Sequence, residues 1–185
     1  MKGIDFRRRR KSLTNYKKRL ALVKSGAERV VIRKSNKAII GQTIKYSENG
    51  DIVTARADSH DLQKSFGWPS RANKPTAYLT GMLLAKKAPK GNKGFILDIG
   101  LSSSVKNSIP FIFAKGCIDG GMDLKANLNV DESTYNYSDV SYAKKLKESA
   151  ADMYTKQYGS YIKEKKEPEL LHALFMEVKE KIAKM

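Results

Sequence analysis

The feature that most constrains the fold is a series of three short β-type segments between residues 30 and 57. Val30, Val31 and Ile32 form a β-branched run, which the turn-forming letters KSNK separate from a second segment at residues 39–46. The letters ENGD contain the Asn-Gly pair typical of a tight hairpin, and residues 52–57 form the third segment. Strands joined by such short turns pair with their neighbours, so the sequence predicts an antiparallel meander.

Helical patterns and one further strand follow the meander. The letters SHDLQKSF predict a short helix capped by Ser59, and Pro75 suits the first turn of the next helix. The buried face of that helix is expected to comprise Tyr78, Leu79, Met82 and Leu83. The run GFILDIG is apolar apart from Asp98 and predicts a central fourth strand, and another helix begins around Pro110 and ends at DGG. We therefore predict an α/β domain over residues 27–124, with a mixed sheet and packed helices.

The charge of the chain is strongly uneven. The net charge is +17, and the first 37 residues hold fourteen lysines and arginines against only Asp5 and Glu28. These residues therefore carry 14 − 2 = 12 of the 17 net positive charges. Such a distribution predicts a dedicated contact face for a polyanion, either a nucleic acid or an anionic membrane surface.

Residues 1–26 are predicted to form a basic arm and a helix. Self-repulsion should keep residues 1–12 extended, because four arginines and a lysine follow one another without a break. Thr14 can cap a helix that runs to about Ser25, and Gly26 is a plausible stop. A stripe along this helix would let it pack by one side and offer cations on another; its members are Leu13, Tyr16, Leu20 and Val23.

Residues 125–185 are predicted to form a helical C-terminal extension. The stretch NVDESTYNYSD, residues 129–139, is polar, and from Ser141 a helical spacing links Tyr142, Leu146, Met153 and Tyr154. A break near KEKKEP precedes a last helix at residues 170–183. The apolar stripe of that helix needs a surface to lie against; it comprises Leu171, Leu174, Phe175 and Val178.

Catalytic and metal-binding signals are weak. One cysteine, Cys117, allows neither an internal disulfide nor a thiolate metal cluster, and the two histidines lack metal-type spacing. A meander followed by a strand bearing Asp98 is similar to folds of two-metal nucleases. That chemistry needs several converging carboxylates, and the first two strands supply none. We expect Asp98 to accept hydrogen bonds instead, and predict no metal, no cofactor and no catalytic residue. A metal-dependent nuclease using Asp98 is the alternative.

Membrane association is the second alternative. The basic N-terminus is followed by no apolar segment of the kind found in secretory signals, and no apolar run approaches the ~18 residues of a membrane span. We expect a soluble, intracellular protein. A basic arm combined with an amphipathic tail would nevertheless suit a membrane-surface protein.

Nucleic-acid binding has the better support. The arginine run offers bidentate donors to phosphate oxygens, and the IRKSNK turn adds further cations on a folded hairpin. Trp68 is either a base-stacking surface or a buried anchor of its loop. No zinc-finger, bZIP or homeodomain pattern occurs, and the strands lack the paired aromatics of an RRM, so a structured RNA is the favoured ligand.

Several motifs, in order, resemble one known family over about residues 7–124. They are RRRRKSLTNYKKRLALVKSG, ERVVIRKSNKAIIGQTI, NGD, FGWPSRANKPTAYLTGMLLAKKA, LDIGL and FAKGCIDGGMD. The chain resembles the archaeal and eukaryotic 5S-rRNA-binding protein of the large ribosomal subunit, the universal eighteenth large-subunit family, with the archaeal form closer because the tail is short.

The resemblance implies a non-enzymatic structural protein of the cytoplasmic ribosome. It implies attachment of 5S rRNA at the central protuberance, with large-subunit rRNA and neighbouring ribosomal proteins as further partners. It implies neither a membrane nor a small-molecule substrate. The RNA contacts that it implies are Arg7, Arg8, Arg9, Arg10, Lys11, Thr14, Tyr16, Lys17, Arg19, Arg33, Lys34, Ser35, Asn36, Lys37, Gln42, Trp68, Asn73 and Lys74.

Overall fold

A computed structural model describes residues 4–69, 72–89, 94–126, 128–135, 141–163 and 166–185; the side chains of residues 141, 142, 160 and 163 are not described. Its centre is a five-stranded mixed sheet with the strand order β3-β2-β1-β4-β5. The strands are β1 (Arg29–Lys34), β2 (Ile39–Lys45), β3 (Ile52–Asp58), β4 (Phe95–Asp98) and β5 (Leu124–Lys125). The predicted α/β class with a mixed sheet is confirmed.

The sheet combines the predicted meander with a parallel half. β1 pairs antiparallel with β2, and β2 antiparallel with β3, so the meander is confirmed. β4 lies parallel to β1 and is flanked on its other side by β5, also parallel. The fourth strand is therefore interior as expected, although β1 is the middle strand. β5 has only two residues, too few for any periodicity to predict it.

Eight α-helices accompany the sheet in the described ranges. They are α1 (Arg7–Arg10), α2 (Tyr16–Lys24), α3 (Ser59–Phe66), α4 (Lys74–Lys87), α5 (Ile109–Asp119), α6 (Ser141–Ser149), α7 (Ala151–Lys163) and α8 (Leu171–Ala183). Two 3-10 turns, Glu132–Thr134 and Pro168–Leu170, interrupt the C-terminal part. Helices α4, α5 and α8 supply most of the core that covers one face of the sheet.

Glycines let neighbouring elements of the core approach one another very closely. Gly41 of β2 faces α5, where a Cβ would lie 2.6 Å from Cε2 of Phe113. α4 and α5 cross with glycines facing backbone on both sides: a Cβ on Gly81 would meet the Phe113 carbonyl, and one on Gly116 would meet the Tyr78 carbonyl. A larger residue at Gly81 or Gly116 would push the two helices apart, since the blocking atoms there belong to the backbone.

The predicted helix α4 is confirmed, together with its buried face. Tyr78, Leu79, Met82 and Leu83 are all buried, and Pro75 lies in the first turn. Pro110 likewise begins α5, which ends at Asp119 before Gly120. α4 is in fact buried from Pro75 to Leu84, because the sheet, α5 and α8 surround it.

The predicted cap of α3 is wrong by one residue. Asp58, not Ser59, caps the helix: its Oδ1 accepts hydrogen bonds from the amides of His60 (2.7 Å) and Asp61 (3.1 Å). A carboxylate is at least as good an acceptor for these amides as a hydroxyl. Ser59 is buried and its Oγ accepts from the amide of Ile39 at 3.2 Å, so the serine joins α3 to the start of β2.

The last helix belongs to the main core. Phe175, Val178 and Ile182 of α8 are fully buried, and the Phe175 ring lies 6.1 Å from Trp68 and 5.7 Å from Tyr78. The amphipathic stripe predicted for residues 170–183 is thus confirmed. The surface against which this stripe lies is the chain's own core.

The rest of the tail differs in detail from the expectation. The single helical pattern from Ser141 is two helices, broken at Ala150, and Met153 is 59% exposed while Leu146 and Tyr154 are buried. The side chain of Tyr142, residues 136–139 of the polar stretch and residues 164–165 of the expected break lie outside the described part.

Candidate nucleic-acid interface

Helix α2 crosses the face of the sheet opposite the core and leaves a cleft beneath it. The cleft has a volume of about 970 Å³, and residues of α2, β1 and the segment after β4 line it, among them Tyr16, Leu22, Val31 and Leu101. Arg8 of the basic N-terminus and Lys34, which ends β1 just before the β1–β2 turn, line the same cleft.

The arginine run forms one helical turn and is not extended as predicted. Asp5 pairs with Arg9 at 3.3 Å, one turn apart, and the Phe6 ring lies 5.4 Å from that of Tyr16. Because successive helical residues are rotated by ~100°, the four guanidinium groups diverge, which reduces their mutual repulsion. All four arginines are exposed, and Arg7 and Arg10 make no ion pair with any described residue.

A hydroxyl links this turn to the start of α2. Thr14, the predicted cap, accepts a hydrogen bond from Nε of Arg8 at 2.8 Å. The actual cap is Asn15, whose Oδ1 accepts from the amide of Lys18 at 3.1 Å. Thr14 thus fixes the relation between α1 and α2 and does not begin the helix itself.

The predicted apolar stripe of α2 is only partly directed inward. Leu13 and Leu20 are each 56% exposed, whereas Tyr16 and Val23 are half-buried. The helix is rotated because Arg19 reaches the sheet, where its Nη2 donates to Oδ2 of Asp51 at 2.8 Å. Lys17 lies on the exposed side, as the sequence predicts.

A charge network connects α2 to the sheet. We use that name for Arg19, Asp51, Arg29, Asp98 and Arg33. Arg29 is 3% exposed and donates to Asp51 at 2.7 Å and to Asp98 at 3.2 Å. Nη2 of Arg33 lies 3.5 Å from Oδ1 of the same Asp98 carboxylate, and Nη1 of Arg33 donates to the backbone oxygen of Asp98 at 3.1 Å.

The network sets the ionisation of Asp51. Partial burial alone would raise the pKa of this carboxyl, but the hydrogen bonds from Arg29 and Arg19, with their positive charges, outweigh burial and lower the pKa below its ordinary value. Asp51 therefore stays ionised over the whole physiological pH range. Its charge offsets that of the buried Arg29, which would be costly to bury unpaired.

Asp98 accepts hydrogen bonds, as predicted. Besides the two arginines, its Oδ1 accepts from the amide of Gly100 at 2.9 Å. A carboxylate faced by two guanidinium groups is poorly placed to bind a divalent cation, since both compete for the same oxygens. In the described ranges, no three His, Cys, Asp or Glu side chains come close enough together to hold a metal ion.

The β1–β2 turn presents its cations on a fixed frame. Ser35 Oγ accepts from the amides of Ala38 (3.0 Å) and Lys37 (3.3 Å), so its hydroxyl is occupied within the turn. Lys34, Asn36 and Lys37 are exposed. Because β1 and β4 are parallel, this turn lies at the same sheet edge as Leu101.

Gln42 also lies on the face crossed by α2. It pairs directly with Val31 in the register of β1 and β2, and directly paired residues share a face. Val31 lines the cleft, and Gln42 is half-buried beside it.

Trp68 and Asn73 lie in the helical layer on the other face, and the base-stacking role predicted for Trp68 is wrong. The indole is 1% exposed, its Nε1 donates to Oγ1 of Thr76 at 2.9 Å, and it packs on Phe175. The alternative, a buried anchor, is the correct one. Asn73, also predicted to contact RNA, is the cap of α4, and its Oδ1 accepts from the amide of Thr76 at 3.1 Å. Lys74, next to it, is exposed.

Sequence reasoning missed Arg29 and Asp51, the two central members of the charge network. The available signal was an arginine directly before the buried run Val30–Ile32, which indicates a guanidinium close to the core in need of a carboxylate. Nothing local identifies Asp51 as that carboxylate, since it follows the Asn-Gly turn 22 positions away.

The described helices include none that is both long and apolar enough to cross a membrane. The apolar face of α8, which a membrane-surface protein would use, is buried in the core.

Residues 3–93 match the family described as ribosomal large subunit proteins 60S L5, and 50S L18. The matched range includes α1, α2, the meander, the β1–β2 turn and α4.

Proposed function

This chain belongs to the family of the ribosomal large-subunit proteins 60S L5 and 50S L18, and on that premise we propose that it binds 5S rRNA and helps attach it at the central protuberance. The family resemblance seen in the sequence is confirmed, and the chain is a large-subunit ribosomal protein. The proposal includes a non-enzymatic role on the cytoplasmic ribosome, with large-subunit rRNA and neighbouring ribosomal proteins as further partners.

One observation carries the proposal: exposed cations from two separate parts of the chain line the same cleft. Arg8 of the helical turn at residues 7–10 and Lys34, which ends β1 just before the β1–β2 turn, both line the cleft under α2. Phosphate groups of a folded RNA have a fixed spacing, so cations carried on an already ordered backbone can match them without the entropic cost of first ordering the chain.

The proposed contacts fall into groups according to the charge of the side chain and its engagement within the protein. The groups proposed to bind phosphate are exposed, although Arg8 also donates to Thr14 and Arg9 also pairs with Asp5; they are Arg7, Arg8, Arg9, Arg10, Lys11, Lys17, Lys34 and Lys37. Asn36 and Gln42 offer uncharged hydrogen-bond donors to RNA, and Tyr16 offers a partly exposed ring at the edge of the cleft. Thr14, Ser35, Arg19 and Arg33 contribute mainly by shaping the interface, since their side chains are engaged within the protein.

Salt dependence of binding tests the electrostatic part of the proposal. If the interface neutralises about six phosphates, the affinity for a 5S rRNA transcript should fall roughly a thousandfold between 50 and 200 mM salt. Fluorescence anisotropy with end-labelled RNA measures this directly. An affinity that barely changes with salt would refute the proposal.

A matched pair of variants locates the interface. Arg7→Gln combined with Arg10→Gln removes two exposed positive charges from α1, and Lys144→Gln combined with Lys145→Gln removes two from α6. We expect the first pair to weaken binding by one to two orders of magnitude and to flatten the salt slope by about two. The second pair should have little effect, and equal losses from both would contradict the assignment of the interface.

The nuclease alternative makes an opposite prediction. It requires divalent-dependent cleavage of RNA that disappears in Asp98→Asn. In the proposed function that substitution weakens the charge network and leaves RNA intact in every sample, with or without Mg²⁺.

A further inference from the structure

We propose that Asp51 is a positioning residue for RNA binding: it holds α2 on the sheet through Arg19 and so keeps the basic surface in its binding geometry before RNA arrives. The link to RNA rests on the proposed function, whereas the attachment of α2 does not. Asp51 is an acidic residue in the cleft whose lining includes Arg8 and Lys34, and its negative charge repels RNA phosphates. Electrostatic attraction to RNA therefore does not explain its presence.

The attachment of α2 depends on few other contacts. All nine residues of α2 remain at least partly exposed, and the cleft beneath the helix is open. By contrast, the Arg19–Asp51 pair has a hydrogen-bonding distance of 2.8 Å, and the Asp51 side chain is only 21% exposed. The ion pair is therefore the strongest identifiable link between this helix and the sheet.

The sheet side of the link is rigid. Asp51 also accepts from Arg29 at 2.7 Å, and Arg29 is held in turn by Asp98 on β4. The anchor of α2 is thus a network centred on the buried Arg29, which extends from β4 to the β2–β3 turn and holds the carboxylate that Arg19 contacts. A fixed carboxylate of this kind loses less side-chain entropy on pairing than an exposed one.

Neutralising Asp51 distinguishes a positioning role from a simple charge effect, because the two predict opposite changes in RNA affinity. Asp51→Asn changes the net charge from +17 to +18, so attraction to RNA alone would tighten binding. If Asp51 positions α2, binding becomes weaker, because only molecules with the helix in place bind well and their fraction falls.

Proteolysis of the free protein tests the attachment without RNA. Chymotrypsin cuts after Tyr16 and Leu20 when α2 leaves the sheet, and we expect Asp51→Asn to accelerate this cleavage about threefold to fivefold. Because the substitution could also unfold the protein around the buried Arg29, Arg19→Gln serves as a second variant that leaves Arg29 and Asp98 paired. Lys24→Gln, with the same loss of charge on an exposed site of α2, is its control and should not change the rate.

The RNA measurement uses the full-length protein and a 5S rRNA transcript at 100 mM salt. Asp51→Asn should bind about threefold to tenfold more weakly than the wild type. Glu177→Gln, which makes the same charge change on α8 and also removes a lysine partner, should bind as well as the wild type or slightly better.

Each outcome is decisive. Unchanged cleavage in both Asp51→Asn and Arg19→Gln overturns the positioning role. Faster cleavage together with equal or tighter RNA binding by Asp51→Asn shows that α2 is attached but that attachment does not serve RNA, which also overturns it. If the wild type itself does not bind 5S rRNA, the proposed function is wrong, and so is the proposed role of Asp51 in RNA binding. The proteolysis result still decides whether the charge network holds α2 on the sheet.

Discussion

Substitution of Gly116 by alanine should strongly destabilise the protein, although alanine is the better helix former. Gly116 lies inside α5 at its crossing with α4, where an added Cβ would lie 2.9 Å from the carbonyl carbon of Tyr78, with the carbonyl oxygen closer still. The blocking atoms are backbone, so no side-chain rotation relieves the overlap. The two helices would have to separate, and α4 is wedged between the sheet, α5 and α8.

The magnitude follows from two opposing effects. Replacing glycine by alanine inside a helix gains about 1 kcal/mol of stability. Overfilling a packed core costs typically about 1–3 kcal/mol, and more where backbone must move. Since the overlap here is with backbone, the cost should lie at or above the upper end of that range, so we expect a net loss of about 2 kcal/mol or more, which for a chain of this size lowers the Tm by roughly 4–8 °C.

Gly159 provides a matched control in α7. A Cβ there would have no described atom within 4 Å, so only the helix-propensity gain applies and the Tm should rise by about 2–4 °C. Urea and thermal unfolding can be followed by the fluorescence of Trp68, the only tryptophan, which is buried. A Gly116→Ala protein as stable as the wild type would refute the close crossing of α4 and α5.

Three further predictions concern buried or partly buried groups. The Tyr135 hydroxyl is buried with no hydrogen-bond partner among the described residues, so Tyr135→Phe should leave the Tm unchanged or raise it, and a marked drop would mean that the hydroxyl is bonded. Burial raises the pKa of the Cys117 thiol, so it should resist a disulfide reagent at pH 8 until urea unfolds the chain; rapid native reaction would contradict this. The lowered pKa of Asp51 means that its stabilisation is present above the unfolded value near 3.9 and is lost as the pH falls through the folded pKa. The Tm difference between wild type and Asp51→Asn should therefore be largest near pH 6 and shrink below about pH 4, and a pH-independent difference would argue against ionic pairing.

Local chemistry made much of the fold predictable. The Asn-Gly turn, the β-branched runs and the prolines at helix starts act within a few residues, and the meander, α4 and α5 appear where these signals place them. The capping residues were each misplaced by one position, because Asp58 and Asn15 sit beside Ser59 and Thr14 and all four side chains can accept a hydrogen bond. Only the backbone geometry selects between such neighbours.

Long-range pairing set the limit of prediction at the interface. Trp68 stands among polar and proline residues and its sequence neighbourhood suits exposure, but Phe175 covers it from more than a hundred positions away. Arg19 and Arg33 are likewise indistinguishable by sequence from Arg7 and Arg10. Their carboxylate partners, Asp51 and Asp98, become neighbours only when the strands have paired.

The place of α8 in the core has a consequence for biosynthesis. The arginine run is translated about 165 positions before Phe175, a delay of roughly 8–33 s at ordinary elongation rates. From their own synthesis until Phe175 is made, Trp68 and Tyr78 lack the ring that covers them in the finished domain. The nascent chain would thus display its cationic end to cellular polyanions while its apolar centre is still unsealed, and a chaperone or an early RNA partner would be most useful in that window.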